Sequence, residues 1–161
     1  MRNVSRPRKA GARTLPKPSN HAMPALWAAD ATHGEVWATT IDGCRPKNPL
    51  NNTQGFSRGA VFGRAAERKA LRQAAYWHTL ATVRPAVRAE VRSGRRGVTV
   101  TLVRHCRLRY DSDGWVAAAK PLRDGVADAF GVDDSVSNID WQYAQVKGKG
   151  YAVTILIRER A

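Results

Sequence analysis

The chain is a basic polypeptide of 161 residues, with 27 lysine and arginine residues against 13 acidic ones and a formal net charge of +14. This length favours one domain with a tail, and no apolar run approaches the roughly 18 residues that a membrane-spanning helix needs. The charge favours a polyanionic partner, and it is equally typical of a passive RNA-binding protein. We expect neither a membrane nor a small-molecule cofactor as a partner.

Residues 1–34 are predicted to form a disordered basic arm. The first 21 residues contain six lysines and arginines, three prolines and no acidic residue, which is too little apolar content for a core. Two alternatives stay open: an organelle transit peptide, or translation that starts at Met23. The basic residues of the arm would add salt-sensitive affinity for nucleic acid: Arg2, Arg6, Arg8, Lys9 and Arg13.

Residues 35–161 have the pattern of a globular domain. Residues 35–41 predict a strand, because β-branched and aromatic residues dominate them, and residues 42–59 predict a long loop rich in Pro, Gly and Asn. Residues 63–83 predict a helix. Its mostly apolar stripe and its basic stripe consist of Ala65, Leu71, Ala74 and His78, and of Arg64, Arg68 and Arg72.

The second half of the domain continues with strands and a further helix. Residues 86–94 predict either a short helix or a strand. Residues 97–108 predict a strand with Val98, Val100 and Leu102 on one face, and residues 123–134 a short helix that ends at Gly131. Residues 138–146 and 151–159 predict a β-hairpin. The order β, α, β, α, β, β predicts a single α/β or α+β domain around a mixed sheet.

The two cysteines, Cys44 and Cys106, are far apart in the sequence and form no CxxC pair. This excludes a zinc framework and a disulfide scaffold, and it favours the reducing cytoplasm. His105 precedes Cys106, but neighbouring strand residues point to opposite faces, so we do not expect a metal pair there.

The acidic residues are concentrated in one short segment. Six of the thirteen lie within 24 positions. Asp111 and Asp113 follow a strand at i, i+2 spacing, so both are expected to face the same way, and a helix of about ten residues would return Asp133 and Asp134 to that strand end. The alternative is that these are solvated loop aspartates, turn formers or helix caps. The six are Asp111, Asp113, Asp124, Asp128, Asp133 and Asp134.

Carboxylates that converge need a compensating cation. Two carboxylates about 4 Å apart repel by roughly 4 kcal/mol at an effective dielectric near 20, which is a large share of a domain's stability of about 5–15 kcal/mol. Their hard oxygen atoms suit Mg²⁺ or Mn²⁺, and such an ion assists hydrolysis of phosphodiesters. An EF-hand is excluded, because Val116 stands where that loop requires glycine.

Residues 110–156 resemble the RusA family of Holliday-junction resolvases, especially its phage and prophage members. The family pattern is Asp-x-Asp-Asn, a lysine, Asp-Ala-Leu/Phe, paired aspartates and a closing β-hairpin. The resemblance covers residues 111–158, is looser over 35–83 and does not extend to 1–34. The matching residues are Asp111, Asp113, Lys120, Asp128, Ala129, Phe130, Asp133 and Asp134.

The resemblance implies a RusA-like fold and a magnesium site, with Mn²⁺ as a substitute. Asp111, Asp113 and Asp134 would be the metal ligands, with Asp133 and Asp124 as further contributors. Lys120 would lie near the scissile phosphate and stabilise developing negative charge. A simpler role for Lys120 is an i, i+4 pair with Asp124, a contribution of about 0.2–0.5 kcal/mol. The family acts as a homodimer on four-way junctions.

Two residues depart from the family pattern. Gly114 replaces the family's asparagine, which removes a polar side chain that would orient a ligand. Pro121 follows Lys120, which disfavours helix at Lys120 and predicts a helix that starts at Pro121. A degenerate prophage copy, which binds DNA without cutting it, is therefore an alternative.

Basic residues outside the arm predict contacts with phosphates, which position a nucleic acid without specifying its sequence. A solvated basic face is the alternative. The four aromatic residues Trp115, Trp141, Tyr143 and Tyr151 are predicted to belong to the core or an interface rather than to stack on bases. The predicted phosphate-binding residues are the basic stripe Arg64, Arg68 and Arg72, with Arg58 and Lys69 as additions, and Lys147 and Lys149 in the basic turn 147–150.

Together these observations predict a cytoplasmic Mg²⁺-dependent endonuclease that resolves four-way DNA junctions in recombination and repair. Water would attack the phosphorus in line and the 3′ oxygen would leave. The alternatives are a non-catalytic DNA- or RNA-binding protein with structural aspartates, and a magnesium nuclease of the same fold that acts on flaps or RNA.

Overall fold

The computed structural model describes residues 35–49 and 58–160, with the backbone alone for residues 58–60. The predicted arm and part of the predicted 42–59 loop lie outside the described residues. The described chain forms one α+β domain, as predicted. Its elements are β1 (Val36–Asp42), α1 (Arg58–Thr82), α2 (Pro85–Arg92), β2 (Val98–Cys106), α3 (Ser112–Phe130), β3 (Ile139–Lys147) and β4 (Ala152–Glu159).

Helices α1 and α2 follow one another closely. Helix α1 begins earlier than the predicted start at Gly63. The choice left open after Pro85 is resolved as helix: Pro85 occupies the first turn of α2, where its missing N–H costs no intrahelical hydrogen bond. Val87 and Val91 of α2 are buried, so a two-residue apolar stripe fixes this short helix to the core.

Helix α3 is longer than predicted and contains Pro121 in its interior. The prediction that the helix starts at Pro121, and that Lys120 lies outside it, is therefore wrong. A proline inside a helix removes one backbone hydrogen bond, but Ala118, Ala119 and Leu122 around it are buried in the core, and their burial outweighs the local preference. The predicted end is confirmed at Gly131, which adopts the left-handed conformation with φ 71°.

The four described strands form one mixed sheet in the order β1-β4-β2-β3. Strands β2 and β3 are parallel, whereas β4 is antiparallel to both β1 and β2. The predicted β3–β4 hairpin is therefore wrong, because β2 lies between these strands. Their connection passes over the end of β2, where the Gly148 N–H donates to the Cys106 carbonyl at 2.9 Å. Burial agrees with this order, since β2 has more buried residues than any other described strand and takes an interior position.

The helices cover one face of the sheet. Val98, Val100 and Leu102 are fully buried on that face, as predicted, and share one core with residues of all three helices. Trp115 is buried in this core, and Trp141 and Tyr143 pack against it. The prediction that these three aromatic residues belong to the core is confirmed.

One end of the sheet collects the starts of both long helices. Strands β1, β2 and β3 run in the same direction, so that Asp42, His105 and Val146 lie near one end. Helices α1 and α3 follow β1 and β2 in the chain and run back alongside each other. We call this end, where β1, β2 and β3 finish, the carboxyl end of the sheet. Ligands bind at the corresponding end in open α/β sheets.

The two cysteines are buried and unpaired, as predicted. Burial raises the pKa of the Cys44 thiol to about 12. Cys106 is buried, whereas His105 turns to the other face and its Nε2 lies 2.9 Å from the Thr154 hydroxyl. The two side chains therefore do not form a metal pair. In the described residues, no helix has the length and apolarity to cross a membrane.

Candidate functional site

Asp111 and Asp113 lie at the start of α3, at the carboxyl end of the sheet. Asp111 is the N-cap, and its Oδ1 accepts the Gly114 N–H at 3.0 Å. Asp113 is exposed in the first helical turn. The two residues follow a strand, as predicted, but the helix begins at Ser112, so the i, i+2 alternation of a strand does not set the directions of their side chains. Both carboxylates instead lie where the positive end of the helix dipole stabilises negative charge.

The segment that delivers Asp111 is held by two strand residues. The Gln145 side chain accepts the Tyr110 N–H and donates to the Tyr110 carbonyl, both at 3.0 Å. The Arg104 guanidinium, with the residue 2% exposed, donates to the Leu108 carbonyl at 3.1 Å and to the Gln145 side-chain oxygen at 3.0 Å. It also stacks on the Tyr110 ring, 3.6 Å from its centroid. Arg104 and Gln145 therefore hold in place the segment that leads into Asp111.

A second acidic group surrounds Lys120, further along α3. The Lys120 ammonium lies 3.1 Å from Asp124 Oδ1 and 3.5 Å from Asp134 Oδ2. Arg123 donates to the same oxygen of Asp134 at 2.5 Å. The hydrogen bond to Asp124 raises the pKa of Lys120, and the hydrogen bond from Arg123 lowers the pKa of Asp134. The i, i+4 pair of Lys120 with Asp124, the simpler role considered above, is present.

The remaining two aspartates of the segment are engaged locally. Asp133 accepts hydrogen bonds from the Ser135 N–H at 2.9 Å and from the Ser135 hydroxyl at 2.6 Å, and this hydroxyl bond is the main reason that the pKa of Asp133 is lowered. Asp128 forms a two-bond ion pair with Arg72 of α1, at 2.6 and 2.8 Å. Asp133 is thus a turn former, and Asp128 joins the two long helices.

The structure does not bring Asp111, Asp113 and Asp134 together. Asp113 precedes Lys120, the contact of Asp134, by seven residues of α3, about 10 Å along the helix axis. Within residues 35–49 and 58–160, no group of three or more His, Cys, Asp or Glu side chains is placed to hold a metal ion. Mg²⁺ is commonly bound by one or two carboxylates together with water and substrate phosphate, and the Asp111–Asp113 pair offers donors of that kind.

A groove of about 750 Å³ separates α1 from α3. Its α1 wall carries the predicted basic residues Arg64, Arg68, Lys69 and Arg72, and its α3 wall carries Lys120 and Asp124. Lys47, from the loop after β1, lines one end and forms an ion pair with Glu67 at 2.9 Å. The predicted phosphate-binding stripe and Lys120, the predicted catalytic lysine, therefore line opposite walls of one groove.

The other predicted phosphate-binding residues lie near the carboxyl end of the sheet or outside the description. Lys147 is the last residue of β3, and the Lys149 carbonyl accepts a hydrogen bond from Arg107 at 2.8 Å. Both lysines are exposed. The side chain of Arg58 lies outside the described residues. Tyr151 pairs with Arg45, whose guanidinium lies 4.6 Å from the ring centroid.

Sequence reasoning missed three residues that shape the site. Arg123 lies one helical turn after Lys120 and holds Asp134, and its i+3 spacing from Lys120 was the available signal. Arg104 and Gln145 carried no such signal, because their contacts join the ends of β2 and β3 to the loop before α3. Only the tertiary structure brings these segments together.

Neither a known protein-family model nor a curated protein matches this chain.

Proposed function

We propose that the protein is a cytoplasmic Mg²⁺-dependent endonuclease that binds four-way DNA junctions and hydrolyses their phosphodiester bonds, as the resemblance to the RusA family implies. The observation that carries this proposal is the groove between α1 and α3. Four cations on one wall face a lysine and an aspartate on the other, and the Asp111–Asp113 pair lies at the start of the same helix, α3.

The basic wall of the groove suits a phosphate backbone. Lys and Arg contacts to phosphates release condensed counterions, so that affinity falls steeply with salt. Arg64 and Arg68 lie one helical turn apart on α1, and Lys47 extends the basic lining beyond the helix. Such contacts position a strand without reading its bases, as recognition of a branched shape requires.

The residues at the start of α3 support hydrolysis. Asp111 and Asp113 would hold Mg²⁺, which supplies Lewis-acid activation of water and of the phosphate when bound. Lys120 remains protonated because Asp124 raises its pKa, and it would stabilise the charge that develops on the phosphate oxygens. Water adds to phosphorus, the bond to the 3′ oxygen breaks, and a 5′ phosphate and a 3′ hydroxyl result. A homodimer would supply one such site for each of two opposed strands.

The test is cleavage of a synthetic four-way junction with and without Mg²⁺. Wild type should nick the junction only with the metal, and Asp113→Asn should lose activity by about 100-fold or more while junction binding is kept or becomes tighter. Asp140→Asn, an exposed carboxylate on β3, is the matched control and should cut like wild type. Equal cutting by Asp113→Asn would remove Asp113 from the reaction.

A non-catalytic nucleic-acid-binding protein is the second candidate. It is favoured by one observation, that Asp134 is already held by both Lys120 and Arg123. Wild type that binds junctions yet nicks none of them, with either Mg²⁺ or Mn²⁺, would establish this candidate and remove the first.

A further inference from the structure

Asn48 is a buried polar residue in the loop after β1, with 7% of its surface exposed. Its neighbours Lys47 and Pro49 line the groove between α1 and α3. Burial of an amide costs free energy unless the amide has a hydrogen-bond partner, so the residues around the Asn48 side chain determine whether this position is stable.

Those surroundings are the first turn of α3. A Cβ atom added to Gly114 would collide with the Asn48 side-chain nitrogen and with Asp111 Oδ1. The Asn48 amide therefore occupies the place of the side chain that residue 114 lacks, and it lies beside the Asp111 carboxylate. Glycine is less favourable than alanine inside a helix, and this close approach is the steric reason for glycine here.

The loop that carries Asn48 is held from both sides. Lys47 pairs with Glu67 of α1 at 2.9 Å. The Pro46 carbonyl accepts the Tyr110 hydroxyl at 3.1 Å, just before Asp111. These contacts place Asn48 between the wall of the groove and the acidic pair.

We propose that Asn48 is a positioning residue for Asp111. The Asn48 amide packs against Gly114 and so connects the loop at the groove wall to the segment that carries Asp111 and Asp113. This inference rests on the proposed nuclease function. Asn48 contacts the first turn of α3 and acts through Asp111. The contact fixes the Asp111 carboxylate, which a cation and a phosphodiester would meet.

The experiment uses three test variants: Asn48→Ala, Gly114→Ala and the double variant Asn48→Ala/Gly114→Ala. Gly63→Ala is the control variant. The control is matched, since a Cβ at Gly63, also in a helix, meets nothing within 4 Å. For each variant, single-turnover nicking of a four-way junction with saturating Mg²⁺, junction affinity and thermal unfolding are measured. The ¹³C chemical shift of the Asp111 side-chain carboxyl is recorded without metal or DNA.

Each single variant at the Asn48–Gly114 contact should slow nicking by about 10- to 100-fold, as expected for a residue that orients a ligand, with junction affinity little changed. The double variant should lose less than the product of the two losses, because removal of Asn48 relieves one of the two collisions of the new methyl group, the collision with the Asn48 amide. Gly63→Ala should nick and bind the junction like wild type. Wild-type nicking by folded Asn48→Ala, or losses that simply multiply, would overturn the proposal.

The carboxyl shift separates this inference from the proposed function. If wild type does not nick junctions, the nuclease proposal fails, and the positioning of Asp111 is judged on the shift alone. Asn48→Ala should move the Asp111 carboxyl signal and Gly63→Ala should leave it in place. An unchanged Asp111 signal in Asn48→Ala would overturn the positioning role.

Discussion

Arg104 places a charged guanidinium in β2, where the residue is 2% exposed. It follows Val100 and Leu102 at strand spacing, so its position on their face is predictable, but a buried guanidinium on that face is not. Its charge is accommodated by two oxygen acceptors and the Tyr110 ring, which come from the next loop and from β3. Gln145 is 41 residues away in the sequence, and local pattern does not predict the pairing of β2 with β3 that brings it here.

Two histidines make the stability of the protein sensitive to acid. Burial lowers the pKa of His78 and of His105. Each ring lies 2.9 Å from a threonine hydroxyl, those of Thr39 and Thr154. A lowered folded-state pKa means that stability is complete above the unfolded value, about 6.5, and declines as the pH falls below it.

Urea unfolding should therefore show a lower midpoint at pH 5 than at pH 7.5. The double variant His78→Asn/His105→Asn, which has no imidazole at either position, should show a smaller difference between these two pH values. A wild-type midpoint that stays constant or rises on acidification would contradict this prediction.

Helix α3 shows at the scale of an element how a local rule yields to packing. The sequence predicted the end of this helix at Gly131 correctly, because a glycine C-cap is a local signal. It placed the start too late, because the proline rule is also local, whereas the buried faces of Trp115, Ala118 and Leu122 hold the helix on both sides of Pro121. The longer helix in turn separates Asp113 from Asp134.

Packing of α1 on α3 depends on Gly125. A Cβ there would collide with the Arg72 carbonyl oxygen and would come within 3.0 Å of Ala75 Cβ. Gly125→Ala should therefore destabilise the protein by about 1–3 kcal/mol, as overpacking does, whereas Gly63→Ala should stabilise it by about 0.5–1 kcal/mol. Chemical denaturation of both variants measures the difference in their free energies of unfolding. Equal values would show that α1 and α3 can move apart to accommodate a methyl group at residue 125 without loss of stability.

For the molecule as a whole, the order of the elements predicted the class of fold correctly but not the order of the strands, and the polyanionic partner inferred from the charge stays a prediction. Residues 138–159 have the composition of two adjacent strands, and adjacency in sequence favoured a hairpin. Strand β2, which has more buried residues than either of them, occupies the position between them. The groove depends on this arrangement as well, since its two walls come from α1 and α3.

The groove should dominate the salt dependence of nucleic-acid binding. Arg68→Ala removes one cation from the wall, so the slope of log K against log salt should become shallower by about 1. Arg95→Ala, in a separate cleft with Gly97 and Arg160, is the control and should keep the wild-type slope. Filter binding at several salt concentrations provides the comparison, and equal slopes for the two variants would move the binding surface away from the groove.

The length of the sheet separates the candidate site from Glu35 and Arg160, near which a label can be attached. The Glu35 carbonyl accepts the Glu159 N–H, and the Arg160 N–H donates to the Gly97 carbonyl at 2.9 Å, so both Glu35 and Arg160 lie at the edge opposite the start of α3. A nine-residue strand spans about 30 Å, and β2 has this length. A fluorophore or a surface tether joined beyond Arg160 would therefore leave the groove facing solution, and energy transfer from such a dye to labelled DNA would report how the molecule is oriented on its substrate.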